Sequence, residues 1–307
     1  MKVLNFGSLN IDYVYYLDHI VEEGETISST KLDLFCGGKG LNQSIALAKA
    51  GASVYHAGLI GEDGQMLKNA CIAAGVDATW IRTVGIGSGH AIIQVNRNGQ
   101  NSIILFQGSN YAFTKEYVDE VLSEFEEGDL VVLQNEINEL EYIIDRAYDR
   151  GMKIVLNPSP YNERIDACRL EKVSLFIVNE IEARQIAKSQ ETEGMLERLS
   201  KRYPSAEILL TLGDKGARYR YQDKTAKQDI FPVEVADTTA AGDTYTGYYL
   251  AGRIEGLTVE EALKRAAMAS SIAVSRKGAS PSIPYKEEVL EALNRISPDG
   301  HNNRDTI

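Results

Sequence analysis

The chain has 307 residues, 44% of them hydrophobic, which suits one large α/β domain or two small ones of ordinary globular composition. Its formal net charge is −12 with no long basic run, which argues against nucleic acid and anionic membrane as partners. Cys36, Cys71 and Cys168 are far apart without a C-x-x-C, and His19, His56, His90 and His301 are scattered, so neither a zinc motif nor a disulfide framework is expected.

A reducing cytoplasm fits this cysteine usage. Met1 to Gly7 lack the apolar core of a signal peptide, and no apolar run approaches membrane-spanning length. Val3 to Phe6 is predicted as a buried first strand stopped by Gly7. Gly7-Ser8-Leu9-Asn10-Ile11-Asp12 follows at its carboxyl end, the edge where open parallel sheets bind ligands. Asn10 and Asp12 are therefore candidate ligand contacts, on the same side of an extended segment. Tyr13 to Leu17 and Ile27 to Phe35 read as strands around Glu22-Glu23-Gly24-Glu25. His90 to Val95 and Ser102 to Phe106 read as a second pair, joined through Asn98-Gly99, a hairpin signal. These two excursions, 13–36 and 89–107, are expected to form one small sheet projecting from the main domain. Such a flap covers a ligand or pairs with another copy of itself.

Between the excursions, Gly37-Gly38-Lys39-Gly40-Leu41-Asn42-Gln43 opens an amphipathic helix to Ala50, with Gly51 as a C-terminal stop. The run is not a P-loop, and Gly85-Ile86-Gly87-Ser88-Gly89-His90 misses the dinucleotide pattern and leads into a strand. The paired glycines let the backbone close on a polyhydroxy ligand, with Asn42 adding donors and acceptors. Val54 to Ile60 reads as a strand and Gly64 to Ala74 as a helix. Strands at Leu130–Gln134, Ile154–Leu156, Leu175–Val178 and Ile208–Leu212 then alternate with helices at Leu140–Arg150 and from Glu180. This predicts a doubly wound, mostly parallel sheet flanked by helices. Polar residues recur just after these strands, at Asn135-Glu136, Asn157, Asn179 with Glu182, and Thr211 to Gly213. Arg218–Tyr221 and Lys227–Phe231 read as an edge hairpin around Gln222-Asp223-Lys224.

Asp237-Thr238-Thr239-Ala240-Ala241-Gly242-Asp243-Thr244 contains no large side chain, and an apolar and aromatic run at helical spacing follows it to Ile254. Asp243 is placed at or just inside a helix start, where a carboxylate is favoured. The small residues before it let backbone N–H groups approach a ligand, making an anion site at a helix N-terminus. Taken alone, one Gly-Asp pair is a turn and a cap; the other polar edges give it company. Helices near Val259–Ser275 and Lys286–Ile296 flank the loop Arg276-Lys277-Gly278-Ala279-Ser280-Pro281-Ser282. The whole reads as one domain over 1–296, with a polar tail, 297–307, expected to be disordered.

Five motifs, Gly-Ser-Leu-Asn-Ile-Asp, Gly-Gly-Lys-Gly-Leu-Asn-Gln, Asn-Glu-Ile-Glu, Thr-Leu-Gly-Asp-Lys-Gly and Asp-Thr-Thr-Ala-Ala-Gly-Asp-Thr, stand in order between Val3 and Leu293. Together they resemble the PfkB carbohydrate kinase family, its ribokinase-like branch in particular. The resemblance implies a ribokinase-like α/β fold with a small β-sheet lid, and transfer of the ATP γ-phosphoryl group to a sugar hydroxyl. It implies Asp243 as catalytic base and Ala240, Ala241 and Gly242 as anion hole. Asn10, Asp12, Gly38, Lys39, Asn42 and Glu136 match sugar-side positions. Asn179, Thr211, Gly213, Asp214 and Gly216 match nucleotide-side positions, with Gly242. Glu182 matches an indirect Mg²⁺ position, and Asp237, Thr239, Ala273, Arg276, Gly278 and Ser282 a potassium site. Ala267 departs from the pattern, standing where some relatives place an Asn beside the nucleotide. Ribose is the expected acceptor, with deoxyribose, a ketohexose or a nucleoside as rivals, and a homodimer through the lid is expected. A non-catalytic sensor on this fold would be expected to lose the base or the anion hole, and both are present. The chemistry agrees with the residue types, since phosphoryl transfer needs positioning, charge neutralisation and a proton acceptor.

Overall fold

β1 (Val3–Phe6) is buried at every position, as strands covered on both faces are. In the computed structural model, which describes residues 1–189 and 194–296, the chain then leaves the main sheet for β2 (Asn10–Tyr16) and β3 (Lys31–Gly37). It returns through α1 (Lys39–Lys49) to β4 (Val54–Ile60), α2 (Gln65–Ala73) and β5 (Ile81–Thr83), and leaves again for β6 (Gly89–Val95) and β7 (Asn101–Phe106). Alternation follows: α3 (Lys115–Leu122), β8 (Leu130–Gln134), α4 (Leu140–Asp149), β9 (Lys153–Asn157), α5 (Glu163–Ala167), β10 (Leu175–Asn179), α6 (Glu180–Ala187), α7 (Met195–Arg202) and β11 (Glu207–Thr211). An edge hairpin, β12 (Ala217–Tyr221) and β13 (Lys224–Gln228), precedes α8 (Ala241–Glu255), α9 (Val259–Val274) and α10 (Lys286–Arg295). The tail 297–307 lies outside the described residues.

The main sheet runs β13-β12-β11-β10-β9-β8-β1-β4-β5. All pairs from β11 to β5 are parallel, and β12 and β13 close one side antiparallel. Alternate residues of each strand serve two cores. Val3, Val132, Val155 and Ile177 face the layer of α1, α8 and α9, while Leu4, Val131, Leu133, Ile154 and Phe176 face that of α3, α4 and α6. From β1 the chain continues to β4 on one side, while β8 fills the other. That reversal is a topological switch point, and the carboxyl ends of β1 and β8 open a crevice there.

The two excursions form a separate four-stranded sheet, β3-β2-β6-β7, in which β2 pairs parallel with β6 and antiparallel with β3. Its first strand begins at Asn10, three residues before the expected Tyr13, so Asn10 and Asp12 belong to the small sheet and not to a loop. The edge hairpin also differs from expectation. Its turn is Gln222-Asp223, with Gln222 at φ 52°, so the second strand starts at Lys224 and not Lys227. β5, α3, α5 and α7 were not expected; three of them are shorter than two and a half helical turns, too short to show a period. Among the described residues no helix is long and apolar enough to cross a membrane, and all three cysteines are free.

Candidate active site

The start of α1 brings the glycine run to the switch point. Gly38, at φ 95°, takes a conformation that other residues reach with strain, and having no side chain it cannot cap the helix. Ser8, just beyond β1, supplies the cap instead. Its carbonyl accepts from Leu41 N (3.0 Å) and its Oγ from Gly40 N (3.2 Å). This needs close approach: a Cβ on Gly40 would stand 2.4 Å from Gly7 Cα. Ser8 Oγ in turn donates to Glu136, beyond β8, whose carboxylate also accepts from Lys39 N at 2.9 Å. Burial pushes the Glu136 carboxyl up, against the field of Lys39.

Asp12 lies alongside. A Cβ on Gly37 would come within 2.0 Å of its Oδ2, so the glycine makes room for the carboxylate. Burial first, then the field of Glu136, pushes Asp12 up from 3.8 to about 7. Asn10 is buried and its Oδ1 accepts from Asn110 Nδ2 at 2.6 Å. For Lys39, burial alone would lower the ammonium, but the fields of Asp243, Glu136 and Glu182 outweigh it and hold it above the usual lysine range.

Asp243 is the third residue of α8, so it stands inside the first turn of the helix. The residue before the helix, Ala240, holds φ 60°, a left-handed conformation that costs a non-glycine residue about 1 kcal/mol or more. The Ala241 amide that follows it donates back to Thr238 O at 3.2 Å, so it does not serve as a free donor of the expected anion hole. Helix-start N–H groups have no partner inside the helix, and a Cβ on Gly242 would meet nothing within 4 Å. Both oxygens of Asp243 are held by amides of α1: Oδ2 accepts from Asn42 Nδ2 (3.1 Å) and Oδ1 from Gln43 Nε2 (2.9 Å). Asn42 Oδ1 is buried without a partner.

On the other side, Asn179 and Glu182 form a reciprocal capping box at the start of α6, and Asn179 Nδ2 also donates to Glu182 Oε1 at 2.9 Å. Thr211 stands beside Asn179 in register and donates to Val178 O. Gly213 and Asp214 lie in the turn that follows, and Gly216 is locked at φ 77° against Gln228 O. Asp237 ties two loops together, accepting from Thr239 N, Thr239 Oγ1 and Gly278 N. Those bonds hold its carboxylate below the usual range, although burial works the other way.

The structure does not gather every expected residue by its side chain. The guanidinium of Arg276 goes to Glu288, Ser282 Oγ donates to Ala279 O, and Ala273 is fully buried. For a cation at the expected place these three would have only backbone carbonyls and a hydroxyl oxygen to offer. Carboxylate, carbonyl and hydroxyl oxygens form a donor set of the kind hard cations take. Ala267 is 4% exposed among the core residues of α9, so it offers a nucleotide no surface. Among the described residues no three His, Cys, Asp or Glu side chains converge on a metal position. Glu182 is committed to its capping box, which suits holding Mg²⁺ through water. Ser8, Gln43, Asn110 and Gln134 were not singled out from the sequence. Ser8 and Gln43 sit inside the quoted motifs; Asn110 and Gln134 carry no local signal.

A parallel sheet with its polar residues at one edge, a carboxylate held at a helix start and a small sheet rooted beside it define a ligand site at the switch point. The sequence profile of the pfkB family of carbohydrate kinases matches residues 1–286, and the chain belongs to that family. It is similar to the ribokinase of Haemophilus influenzae, 32% identical with 94% of this chain and 96% of the relative covered. It is also similar to the deoxyribokinase of Salmonella typhi, 29% identical with 96% and 99% covered. A solved ribokinase of Arabidopsis thaliana, in complex with ribose and ATP, superposes with a TM-score of 0.83 at 30% identity, over 95% of this chain and 98% of that one. The protein is thus an ATP-dependent, ribokinase-like carbohydrate kinase.

Proposed function

We propose that the enzyme transfers the γ-phosphoryl group of ATP to D-ribose, giving ribose 5-phosphate, with Asp243 as the base. The observation that carries this is the Asp243 carboxylate, fixed by Asn42 and Gln43 in the first turn of α8. Asn10, Asp12, Gly38, Asn42 and Glu136 hold the sugar hydroxyls; the unpartnered Asn42 Oδ1 is one acceptor waiting for a donor. Asp243 takes the proton of the attacking hydroxyl. The anion hole is the helix start over Ala240, Ala241 and Gly242, where the Gly242 and Asp243 amides, which have no carbonyl partner inside the helix, stabilise charge developing on the transferred group without reorganising; the Ala241 amide is already given to Thr238 O at 3.2 Å. Lys39, whose ammonium is under the field of Asp243, Glu136 and Glu182, is a further sugar-side contact. Asn179, Thr211, Gly213, Asp214 and Gly216 line the nucleotide. Glu182 would hold Mg²⁺ through water, and the ion would supply neutralisation of phosphate charge that an acidic protein lacks. We place the enzyme in the cytoplasm as a single kinase domain over 1–296, where ATP is present and free thiols persist.

ATP turnover over ribose, 2-deoxyribose, fructose and nucleosides tests this reading. Ribose is expected to give the highest kcat/KM. Preference for 2-deoxyribose, which the similarity to a deoxyribokinase favours as a second reading, would keep the chemistry and change the acceptor.

Potassium is expected to activate. The motivation is the oxygen set of Asp237, Thr239, Ala273, Arg276, Gly278 and Ser282, on two loops that the Asp237–Gly278 bond joins. A cation there would order the loop that leads into α8. Equal rates in potassium and in tetramethylammonium at matched ionic strength would dismiss it.

The chain is also expected to form a homodimer through the small sheet. Leu32 and Leu34 on β3, and Ile103, Ile104, Leu105 and Phe106 on the edge strand β7, are exposed. Edge strands with exposed apolar residues invite pairing, and a second copy offers the same surface. Sedimentation that shows only monomer at high concentration, with full activity, would count decisively against it.

A further inference from the structure

Beneath Asp243 a row of polar side chains crosses the main sheet. His56 on β4, Asn5 on β1, Gln134 on β8 and Asn157 on β9 stand on four adjacent strands. Asn5 is in register with His56, and Gln134 with Asn157. α1 lies over the row and adds Gln43 and Ser44. Asn5, Gln43, Ser44, His56 and Gln134 are all at most 1% exposed.

The hydrogen bonds join these groups into one network. Gln43 Nε2 donates to Asp243 Oδ1 (2.9 Å) and to Asn157 Oδ1 (3.1 Å). Gln134 Nε2 donates to Gln43 Oε1 (2.7 Å) and to Asn5 Oδ1 (3.1 Å). Asn5 Nδ2 donates to Ser44 Oγ (2.8 Å) and Gly40 O (2.9 Å). Ser44 pairs with His56 Nδ1 at 2.8 Å, and His56 Nε2 with Gly7 O at 3.2 Å.

Both ends of the network accept only: a backbone carbonyl at Gly7 and a carboxylate at Asp243. That fixes every direction in between. His56 carries its proton on Nε2 and accepts from Ser44 on Nδ1; burial holds the ring neutral, with its value down at about 4. Gln43 must turn its NH₂ to Asp243, so its Oε1 must meet a donor. The NH₂ of Gln134 has to feed both branches. Its Oε1 is then left buried with no partner, the one position where the two requirements collide. Apolar side chains would fill this layer with no such conflict.

We propose that Gln43 is a positioning residue for Asp243, and that the row through Gln134, Asn5, Ser44 and His56 fixes the Gln43 amide so that its donor faces the carboxylate. The inference rests on Asp243 being the base. Asn42 anchors one oxygen from the sugar side; Gln43 anchors the other from the sheet. Without the second anchor the carboxylate rotates about its own bond, and the oxygen that takes the proton moves off the sugar hydroxyl.

The test is a kinetic cycle with Gln43→Met and Gln134→Met, side chains of similar volume and no amide. Gln43→Met is expected to lower kcat by about 10- to 100-fold, the scale of a misplacement of about 1 Å, while KM for sugar stays within about threefold. Gln134→Met should act in the same direction, and should add nothing once Gln43 is Met. In an Asp243→Asn background neither substitution should lower kcat further. A purely structural role would lower the melting temperature and leave kcat near wild type; kcat above about a third of wild type in the folded variants therefore overturns the proposal. A full multiplicative loss on top of Asp243→Asn overturns it too. Should Gln43→Met fail to fold, kcat of Gln134→Met decides between the two roles on the same scale. If Asp243→Asn itself keeps kcat, the base assignment falls and this proposal falls with it; a collapse of kcat in Asp243→Asn beside an unchanged Gln43→Met removes the positioning role alone.

Discussion

Asp243→Asn is expected to lower kcat by roughly 10²- to 10⁴-fold, the usual contribution of a positioned base. Sugar affinity should change far less, because the lost interaction belongs mainly to the transition state. The competing view makes Asp243 a helix cap, for which Asn serves about as well. The geometry separates the two. Asp243 is inside the first turn of α8, not at its cap, and both its oxygens face amide donors of α1. Asn at this position can still accept from Gln43. Its NH₂ can donate to Asn42, whose Oδ1 has no other partner and is freed by an amide flip. The variant should therefore fold and melt close to wild type, which makes the kinetic loss readable. A folded variant that retains more than about a tenth of wild-type kcat, well inside the loss expected for a removed base, would remove Asp243 from the chemistry.

Asp12→Asn should give the opposite split, raising KM for sugar by roughly 10- to 100-fold with a smaller fall in kcat, as removal of a charge-assisted hydrogen bond does. Its pH dependence is the sharper test. Burial, and then Glu136, hold Asp12 at about 7 in the folded protein against 3.8 for a free carboxyl. An ionised carboxylate accepts sugar hydroxyls more strongly than a neutral one, so wild-type KM should fall as pH rises from about 6 to about 8, across the folded value, and the Asn variant should lose that slope. Stability moves the other way. Between the unfolded and folded values the folded state binds the extra proton, so this group makes the protein less stable as pH rises through that window. Asp12→Asn should hence melt higher than wild type at about pH 8, with the gap closing toward about pH 4. A pH-independent KM in wild type, or an Asn variant that melts lower on the alkaline side, would refute this account of Asp12.

Much of the architecture could be read from the chain alone, because each main strand is a short apolar run with a polar or glycine residue just after it. Gly7, Asn135-Glu136, Asn179 and Gly213 mark one edge of the sheet, and that edge is where Asp12, Lys39, Glu136 and Asp243 assemble. Asn10 and Asp12 were legible as contacts but not as members of a strand, since the small sheet's β2 starts without a turn signal to separate it from the loop. The hairpin was displaced because a left-handed Gln222 replaces the Asn or Gly that usually announces such a turn. The polar row was illegible for a different reason. Asn5 lies in an apolar run, and its partners Ser44 and Gln134 are 39 and 129 positions away. Periodicity reports which face a side chain takes, and says nothing about a hydrogen bond that closes over such a distance.

The central place of β1 in the sheet also governs when the enzyme can come into being. β1 can pair with β4 soon after both leave the ribosome, but its other neighbour, β8, begins only at Leu130. The carboxylate that Gln43 anchors is added 200 residues after it. Pairings of such sequence separation form late and slowly. With Asp243 as the proposed base, a chain stalled before α8 carries the glycine run and the small sheet without it, and is expected not to turn over ATP. Premature termination anywhere before Asp243 is then expected to be silent and not partly active.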